Sequence, residues 1–374
     1  MNQEVLKMIY GNSIAKQGDA EKIIYCMNKA GRGEPVTIGF IGGSITQGCL
    51  SSTPKTCYAY RVFEWWCRNY PDTSIRYLNA GIGGTTSEFG VARVDKDLLR
   101  CDPDLVFVEF SVNDENTSHF KETYEGLIRK ILHHKPCEPA IIIVNNVHYD
   151  TGENAQDMHN EIGEAYQIPC ISIKDSVFPL IANKKIKAED LTEDMLHPND
   201  AGHALIAGII CNYLDEIKLS MYHSHIGDAI TKNRFEDSVR IQNQDMQVYQ
   251  CNGFIVDHEV GNDITDCFKN GFYSGNQGDS ILFKVKGSHF SVQYKKTINK
   301  PAPIAVAVID GKEENAVILD ANFNEDWGDC LYLQTLAKDL TLDEHKIEIR
   351  ILETHSNDES DFYLVSLIAS GVSF

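Results

Sequence analysis

The sequence predicts two domains, an N-terminal α/β domain built on a parallel sheet and a C-terminal domain of antiparallel strands. Up to about residue 220, short β-rich runs alternate with amphipathic helical patterns, which is typical of βαβ units. Beyond about residue 245, apolar and polar residues alternate with a period of two, and Gly, Asn and Asp separate the runs. The length of 374 residues also exceeds what one hydrophobic core usually absorbs.

Apolar runs in the first part of the chain predict five strands, and periodic segments between them predict helices. The strands cover residues 36–41, 74–79, 104–110, 140–145 and 168–173. The helices cover residues 58–68, 88–99, 122–133, 154–166 and 201–217. Asn199 or Asp200 immediately precedes the last helix and can cap its free amides.

The boundary between the domains is predicted in the polar, weakly periodic stretch of residues 218–245. We place it after residue 222, which gives an N-terminal domain of residues 1–222 and a C-terminal domain of residues 223–374. Alternating runs in the second domain cover residues 280–287, 289–296, 304–312, 345–353 and 362–369. Such runs with turn residues between them predict an antiparallel β-sandwich of jelly-roll type.

Composition limits the partners and the compartment. A net charge of −20 repels phosphate groups, so neither nucleic acid nor an anionic membrane surface is an expected partner. The N-terminus has no basic start followed by an apolar run, and no stretch approaches the roughly 20 apolar residues that span a bilayer. The 11 cysteines are scattered without a CxxC pair. We therefore expect reduced thiols and a cytoplasmic location.

The first candidate for chemistry is Ser44, in the segment IGFIGGSITQG. A hydrophobic strand runs directly into two glycines, which permit a tight turn. The serine hydroxyl then stands at the carboxyl edge of the sheet, where parallel α/β folds bind their ligands. A plain Gly-Gly-Ser turn is the alternative. A nucleotide-binding loop is disfavoured, because the segment lacks both the GxGxxG spacing and the Lys-Ser/Thr ending of a P-loop.

The second candidate is the pair Asp194 and His197 in EDMLHPNDAGH, just before the last predicted helix. An imidazole acts as a general base when an acceptor holds its other nitrogen, and an aspartate three residues earlier can supply that acceptor. A metal site formed by these two residues with His203 is an alternative that needs a further ligand. A simple helix-entry turn explains Pro198 and Asp200 but gives His197 no role.

Two further segments, NAGIGGTTS and EFSVNDEN, follow the second and third strands. Both are predicted at the same edge of the sheet as Ser44. An ester hydrolase needs donors for the oxyanion of its tetrahedral intermediate, and a glycine backbone amide and an asparagine side chain can provide them. Gly84 and Asn113 are the candidates.

In this order the four segments resemble those of the SGNH (GDSL-like) hydrolase superfamily. The resemblance implies a flavodoxin-like parallel sheet of about five strands with flanking helices. It implies that Ser44 is the nucleophile and first oxyanion amide, that Gly84 and Asn113 complete the oxyanion hole, and that Asp194 and His197 complete the triad. It implies neither a metal nor an organic cofactor.

Two positions depart from the familiar motifs of the superfamily. Gly43 stands where the GDS block has aspartate, and Ser111 stands where the GxND block usually has glycine. GGS variants resemble the branch of the superfamily that is rich in carbohydrate esterases. The first departure therefore bears on the substrate, and the second bears on the geometry around Asn113.

The expected substrate is an acetylated oligosaccharide. A C-terminal β-sandwich, similar to a carbohydrate-binding module, resembles the arrangement in two-domain acetyl esterases that remove acetyl groups from mannan and xylan. A lipid or thioester hydrolase of the same superfamily is one alternative, and a non-catalytic carbohydrate-binding protein is another. Trp327, in the loop NFNEDWGD, is a candidate sugar-stacking residue or a packing tryptophan. A homodimer is also possible.

Overall fold

The computed structural model describes residues 2–217 and 229–371. The chain divides into two compact units, Met1–Asn233 and Arg234–Phe374. The boundary predicted after residue 222 lies outside the described residues. Each helix among those described is either too short or too polar to traverse a lipid bilayer.

The first unit contains ten α-helices and six strands among its described residues. The helices are α1 (Gln3–Gly11), α2 (Glu21–Gly31), α3 (Ser44–Gln47), α4 (Tyr58–Asn69), α5 (Ser87–Asp97), α6 (Ser118–Leu132), α7 (Gln156–Ala165), α8 (Ile173–Ser176), α9 (Phe178–Ala182) and α10 (Asp200–Ile217). The strands are β1 (Ile14–Lys16), β2 (Val36–Gly42), β3 (Ile75–Gly81), β4 (Leu105–Glu109), β5 (Ala140–Asn145) and β6 (Cys170–Ser172). Two 3₁₀ turns cover Leu99–Cys101 and Ala188–Asp190.

Strands β2 to β6 are parallel and lie in the order β3-β2-β4-β5-β6. This is the flavodoxin-like order, so the predicted fold class is confirmed. The order reverses at β2, which pairs with both β3 and β4. Ligands of such sheets bind at the carboxyl ends of the strands that flank the reversal. Ser44 follows β2 directly.

The sheet has one strand more than predicted. β1 pairs antiparallel with β6 at the edge. It has only three residues, all half-buried, so it shows neither an apolar run nor a readable alternation. Helices α1 and α2 were also absent from the sequence prediction. In α1 the Asn2 side chain accepts a hydrogen bond from the Val5 amide at 2.8 Å, which caps the helix.

The core of the first unit is formed by the continuous apolar strands. Every residue of β4 and β5 is buried, as expected for parallel strands with cover on both faces. Phe40 stacks on Phe107 with ring centroids 4.6 Å apart. Both rings belong to the large hydrophobic cluster that also includes residues of α4 and α10. This packing fixes β2, and with it the position of the turn that carries Ser44.

The second unit contains two antiparallel sheets. Its strands are β7 (Val239–Ile241), β8 (Val248–Asn252), β9 (Ile255–Val256), β10 (Phe272–Ser274), β11 (Ser280–Gly287), β12 (His289–Lys296), β13 (Ile304–Ile309), β14 (Val317–Asp320), β15 (Cys330–Ala337), β16 (Asp343–Glu353) and β17 (Phe362–Ser370). A 3₁₀ turn covers Glu313–Asn315. One sheet has the order β15-β12-β17-β10-β9, with β7 also paired to β17, and the other has the order β14-β13-β16-β11-β8.

Buried residues of both sheets form one hydrophobic cluster. Val292 and Leu367 come from the first sheet, and Phe283 and Ile349 come from the second. A shared core between two sheets is what the alternating sequence pattern requires, because one face of each strand must be buried. The predicted antiparallel C-terminal architecture is confirmed.

We expect Phe107→Ala to lower the free energy of unfolding of the first unit by about 3–5 kcal/mol, because it leaves a cavity beside Phe40. Tyr25→Ala is the matched control, since the Tyr25 side chain is 62% exposed. Urea titration followed by tryptophan fluorescence measures both variants. Equal losses in the two variants would contradict this assignment of the core.

Candidate active site

Ser44 is placed by a turn that only glycine permits. It is the first residue of α3 and follows Gly42 and Gly43 at the carboxyl end of β2. A Cβ atom on Gly42 would lie 2.3 Å from Thr46 Oγ1 and 2.4 Å from the Glu109 carbonyl oxygen. Such contacts are far shorter than van der Waals distance. The glycine before the turn is therefore required by packing, and the plain-turn alternative leaves the arrangement around Ser44 unexplained.

Ser44, His197 and Asp194 form a continuous hydrogen-bonded chain. Ser44 Oγ lies 2.9 Å from His197 Nε2, and His197 Nδ1 lies 2.6 Å from Asp194 Oδ2. The other carboxylate oxygen of Asp194 accepts hydrogen bonds from the backbone amides of Leu196 and His197 at 3.0 and 2.7 Å. The aspartate is thus fixed on its own loop, and it holds the imidazole with Nε2 directed at the serine.

The start of α10 fixes the loop that carries Asp194 and His197. Asn199 Oδ1 accepts hydrogen bonds from the amides of Ala201 and Gly202, both at 3.0 Å, so Asn199 is the cap of the helix. Asp200, the other predicted cap, instead binds the amide and hydroxyl of Ser52 at 2.8 and 2.6 Å. Hydrogen bonds from Ser52 and Thr56 lower the pKa of Asp200 to about 2.

His203 holds the segment that follows Ser44. Its Nδ1 accepts the Tyr58 amide at 3.2 Å, and its Nε2 donates to the Cys49 carbonyl at 3.1 Å. The ring is fully buried, and this burial lowers its pKa. Because both nitrogens are engaged, His203 cannot join Asp194 and His197 in the metal site that the sequence left open.

The predicted oxyanion donors lie around Ser44. The Ser44 amide opens α3 and has no acceptor within that helix. A Cβ atom on Gly43 would lie 2.3 Å from Asn113 Oδ1, so the Asn113 side chain passes directly over the turn. A Cβ atom on Gly83 would lie 3.6 Å from Ser44 Cβ, which brings the glycine segment to the same place. The oxyanion roles of Gly84 and Asn113 remain predictions.

The two glycines of that segment differ in their contacts. The Gly83 amide donates to Gln47 Oε1 at 2.7 Å, which leaves Gly84 as the glycine donor available for an oxyanion. Gly84 has a φ of 68°, a left-handed conformation that glycine adopts without strain. Asn113 Oδ1 is buried and accepts no hydrogen bond from any residue the structure describes.

Ser111, the departure from the usual motif glycine, binds a buried carboxyl group. Its hydroxyl and amide donate to Glu109 Oε1 at 3.1 and 3.2 Å, and Thr46 Oγ1 lies 3.5 Å from Glu109 Oε2. Glu109 is completely buried beneath the nucleophile turn, and this burial raises its pKa to about 7. Ser111 thus donates hydrogen bonds to a carboxyl group whose burial would otherwise be more costly.

Asp114 joins the two oxyanion segments. Its carboxylate accepts the Ser87 amide at 2.9 Å, just beyond the Gly84 segment, and lies 3.2 Å from His159 Nε2. Both Asp114 and His159 are buried, and the His159 ring stacks on Tyr124 with centroids 3.6 Å apart. The neighbouring residue Asn113 therefore projects from a rigid turn.

The Cys49 side chain raises the pKa of His197, burial acts against it, and Asp194 raises it further, to about 9. For Asp194, partial burial acts to raise the pKa, but hydrogen bonds from His197 and Leu196 hold it below the ordinary value. No motif in the sequence links Cys49 to His197, because the two residues lie far apart along the chain.

Residues 40–205 match the model of the GDSL-like Lipase/Acylhydrolase family. A crystal structure of a two-domain esterase (CEX) active on acetylated mannans, co-crystallised with mannopentaose, is 48% identical. The match covers 98% of each chain, with a TM-score of 0.95. A second crystal structure described as the same esterase gives the same identity and TM-score over 97% of this chain.

The chain contains a GDSL-like hydrolase domain.

The N-terminal part of this GDSL-like hydrolase also resembles a curated relative. An acetylxylan esterase from Geobacillus stearothermophilus is 26% identical over 208 residues, which are 48% of this chain and 93% of the relative. The family, the full-length esterase relatives and the Ser44 site agree on the reaction class. This GDSL-like hydrolase is a carboxylic ester hydrolase.

Trp327 belongs to the second unit. Its side chain is 56% exposed, its ring meets Phe323 edge-on at 4.8 Å, and its Nε1 donates to Glu325 at 2.5 Å. It is therefore an exposed indole held at one edge by packing and by a hydrogen bond, and its sugar-stacking role stays a prediction beside the partly buried packing role.

We expect Cys49→Ala to shift the acid limb of the pH dependence of kcat/KM to lower pH. His197 acts as a base only when neutral, and the wild-type limb should lie near pH 9. Removing the thiol removes one of the groups that raise the pKa of His197, so the imidazole is neutral at lower pH. Cys67→Ala, on α4, is the control and should leave the limb in place. Superimposable profiles for all three proteins would contradict the role of Cys49.

We expect Glu109→Gln to have a higher free energy of unfolding than the wild type at pH 8, and no such advantage at pH 4.5. Burial raises the pKa of the Glu109 carboxyl from 4.5 to about 7, so native stability is lost as the pH rises from about 4.5 to about 7 and stays lost above that. The difference between these two pKa values corresponds to about 3 kcal/mol of lost stability above pH 7. Glutamine does not ionise, so the variant does not lose this stability. Chemical denaturation at both pH values measures it, with exposed Glu189→Gln as control. A variant whose stability follows that of the wild type at both pH values would contradict the buried ionisation.

Proposed function

We propose that this hydrolase removes O-acetyl groups from carbohydrate, with acetylated mannan or xylan oligosaccharides as substrates and Ser44 as nucleophile. One observation carries the proposal. The hydrogen-bonded chain from Ser44 through His197 to Asp194 lies in a protein that matches, over both domains, an esterase active on acetylated mannans. The roles of the five site residues are part of this proposal.

In the proposed acylation step, Ser44 Oγ attacks the carbonyl carbon of the acetyl ester while its proton passes to His197 Nε2. The negative charge on the carbonyl oxygen is stabilised by the amides of Ser44 and Gly84 and by the side chain of Asn113. The intermediate collapses, the C–O bond to the sugar breaks, and His197 returns the proton to the sugar oxygen. Acetyl-Ser44 and a free sugar hydroxyl result.

Deacylation repeats these steps with water. His197 accepts a proton from water as the oxygen attacks acetyl-Ser44, and then protonates Ser44 Oγ as acetate leaves. Asp194 stays ionised throughout, because hydrogen bonds from His197 and from the Leu196 amide keep its pKa low. Its carboxylate stabilises the imidazolium that forms in each half-reaction. No step in this scheme calls for a further cofactor.

The extent of the similarities favours mannan over xylan. The mannan-active esterase matches 98% of this chain, whereas the acetylxylan esterase matches 48% of it and leaves the rest without a counterpart. Trp327 supports a contribution of that unit, because an exposed and anchored indole suits stacking against a sugar ring. We propose it as a sugar-contacting residue.

We also propose that the enzyme works in the cytoplasm on oligosaccharides that have already been imported. All 11 cysteines are in the thiol form, and three of them, Cys26, Cys57 and Cys170, are buried in the first unit. A reducing compartment keeps such thiols intact.

The test is mass spectrometry of acetylated manno- and xylo-oligosaccharides incubated with the enzyme. We expect loss of acetyl units, with faster loss from the mannan series. Ser44→Ala should reduce turnover by about 10⁴-fold or more without altering the circular dichroism spectrum. Ser51→Ala is the control, since the Ser51 hydroxyl bonds the Gly48 carbonyl at 2.6 Å and lies outside the triad.

Nitrophenyl esters of increasing chain length distinguish the alternatives. Hydrolysis rates that rise from the acetyl to the octanoyl ester, together with no loss of acetyl units from the oligosaccharides, would favour a lipid or thioester hydrolase. An enzyme that binds oligosaccharide but hydrolyses no ester would favour a non-catalytic binding protein. Undiminished activity in Ser44→Ala would refute the nucleophile.

A further inference from the structure

Gln47 connects the nucleophile helix to the glycine segment of the oxyanion hole. It is the last residue of α3 and lies three positions after Ser44, so both side chains project from neighbouring faces of one helical turn. Its Oε1 accepts the Gly83 amide at 2.7 Å. A Cβ atom on Gly83 would lie 3.0 Å from Gln47 Oε1 and 3.6 Å from Ser44 Cβ. The contact is therefore immediately beside the reacting hydroxyl.

The other contacts between these segments stop short of the glycines. The Ile82 amide donates to the Gly42 carbonyl at 3.1 Å, and Asn79 Nδ2 donates to the Thr46 carbonyl at 2.8 Å. These bonds fix the end of β3 against β2 and α3. Apart from the Gly83 amide itself, the next backbone amide after Ile82 that donates a hydrogen bond among the described residues is that of Ser87, which donates to Asp114.

Two consecutive glycines in this interval have unusual backbone freedom. Gly83 and Gly84 have no side chains to restrict rotation, and Gly84 is in the left-handed region. The direction of the Gly84 amide depends on the conformation of Gly83. An oxyanion donor is effective only if it is aimed before the charge develops. A single hydrogen bond to Gly83 can therefore determine how well Gly84 functions.

We propose that Gln47 is a positioning residue that holds Gly83, and through it aims the Gly84 amide at the oxyanion. This inference rests on the proposed function of Ser44. Gln47 accepts one hydrogen bond and takes no part in the transfer of protons or acyl groups. Its effect falls on the transition state, where the negative charge exists, and little on the bound ester.

The test compares Gln47→Met with the wild type on nitrophenyl acetate. Methionine has a similar length and cannot replace the amide oxygen as an acceptor. We expect kcat to fall about 10- to 100-fold, part of the 10²- to 10³-fold that a whole oxyanion donor contributes, with KM unchanged within about twofold. Gln3→Met, an exposed substitution on α1, is the matched control and should leave both constants unchanged.

Hydrogen exchange provides a second readout that does not depend on activity. Exchange in the peptide that contains Gly83 and Gly84 should become faster in Gln47→Met, while the peptide that contains Asp194 and His197 stays unchanged. Gln47→Glu keeps an oxygen acceptor and should restore protection of the glycine peptide. This rescue separates loss of the hydrogen bond from a general loss of structure.

Three outcomes would overturn the inference. They are an unchanged kcat in Gln47→Met, a rise in KM at constant kcat, which would indicate direct contact with substrate, and a lower kcat without faster exchange at the glycines. Failure of the proposed function looks different, because Ser44→Ala would then retain activity whatever Gln47 does.

Discussion

The hydrogen bond between Ser44 and His197 joins residues that lie 153 positions apart, and the first unit is arranged so that it forms. β2 delivers the serine at the point where the strand order reverses, and the start of α10 delivers the histidine. The same end of α10 also binds the loop that follows the serine. Asp200 holds Ser52, and His203 holds the Cys49 carbonyl. One helix end therefore fixes both partners of the bond.

The electrostatics of this region follow from burial. Asp194 accepts hydrogen bonds from two backbone amides, and these hold its pKa low, so it stays ionised beside the histidine. Glu109, beneath the turn, has its pKa raised to about 7, and Ser111 supplies its hydrogen bonds. The pKa values of two carboxyl groups close to Ser44 are thus shifted in opposite directions, because backbone amides donate to one and the other is buried.

Much of this arrangement could be predicted from the sequence, because it depends on local signals. Continuous apolar runs predict β2 to β6, and the alternation of apolar and polar residues predicts the long strands of the second unit. β1 escaped prediction because three half-buried residues carry no pattern. Gly42 and Ser44 could be identified since a strand followed by glycines forms a turn. Cys49, Gln47 and His203 could not, because their partners are distant in sequence or are backbone groups.

The Gly42 position has a consequence for how this enzyme can diversify. Any side chain there meets Thr46 and the Glu109 carbonyl, so the floor of the catalytic centre tolerates almost no variation. New substrate preferences must then arise at the exposed periphery, for example in residues 50–56, where the chain is largely exposed to solvent. A constant core around Ser44 and a variable surrounding surface allow one ester-cleaving site to act on many esters.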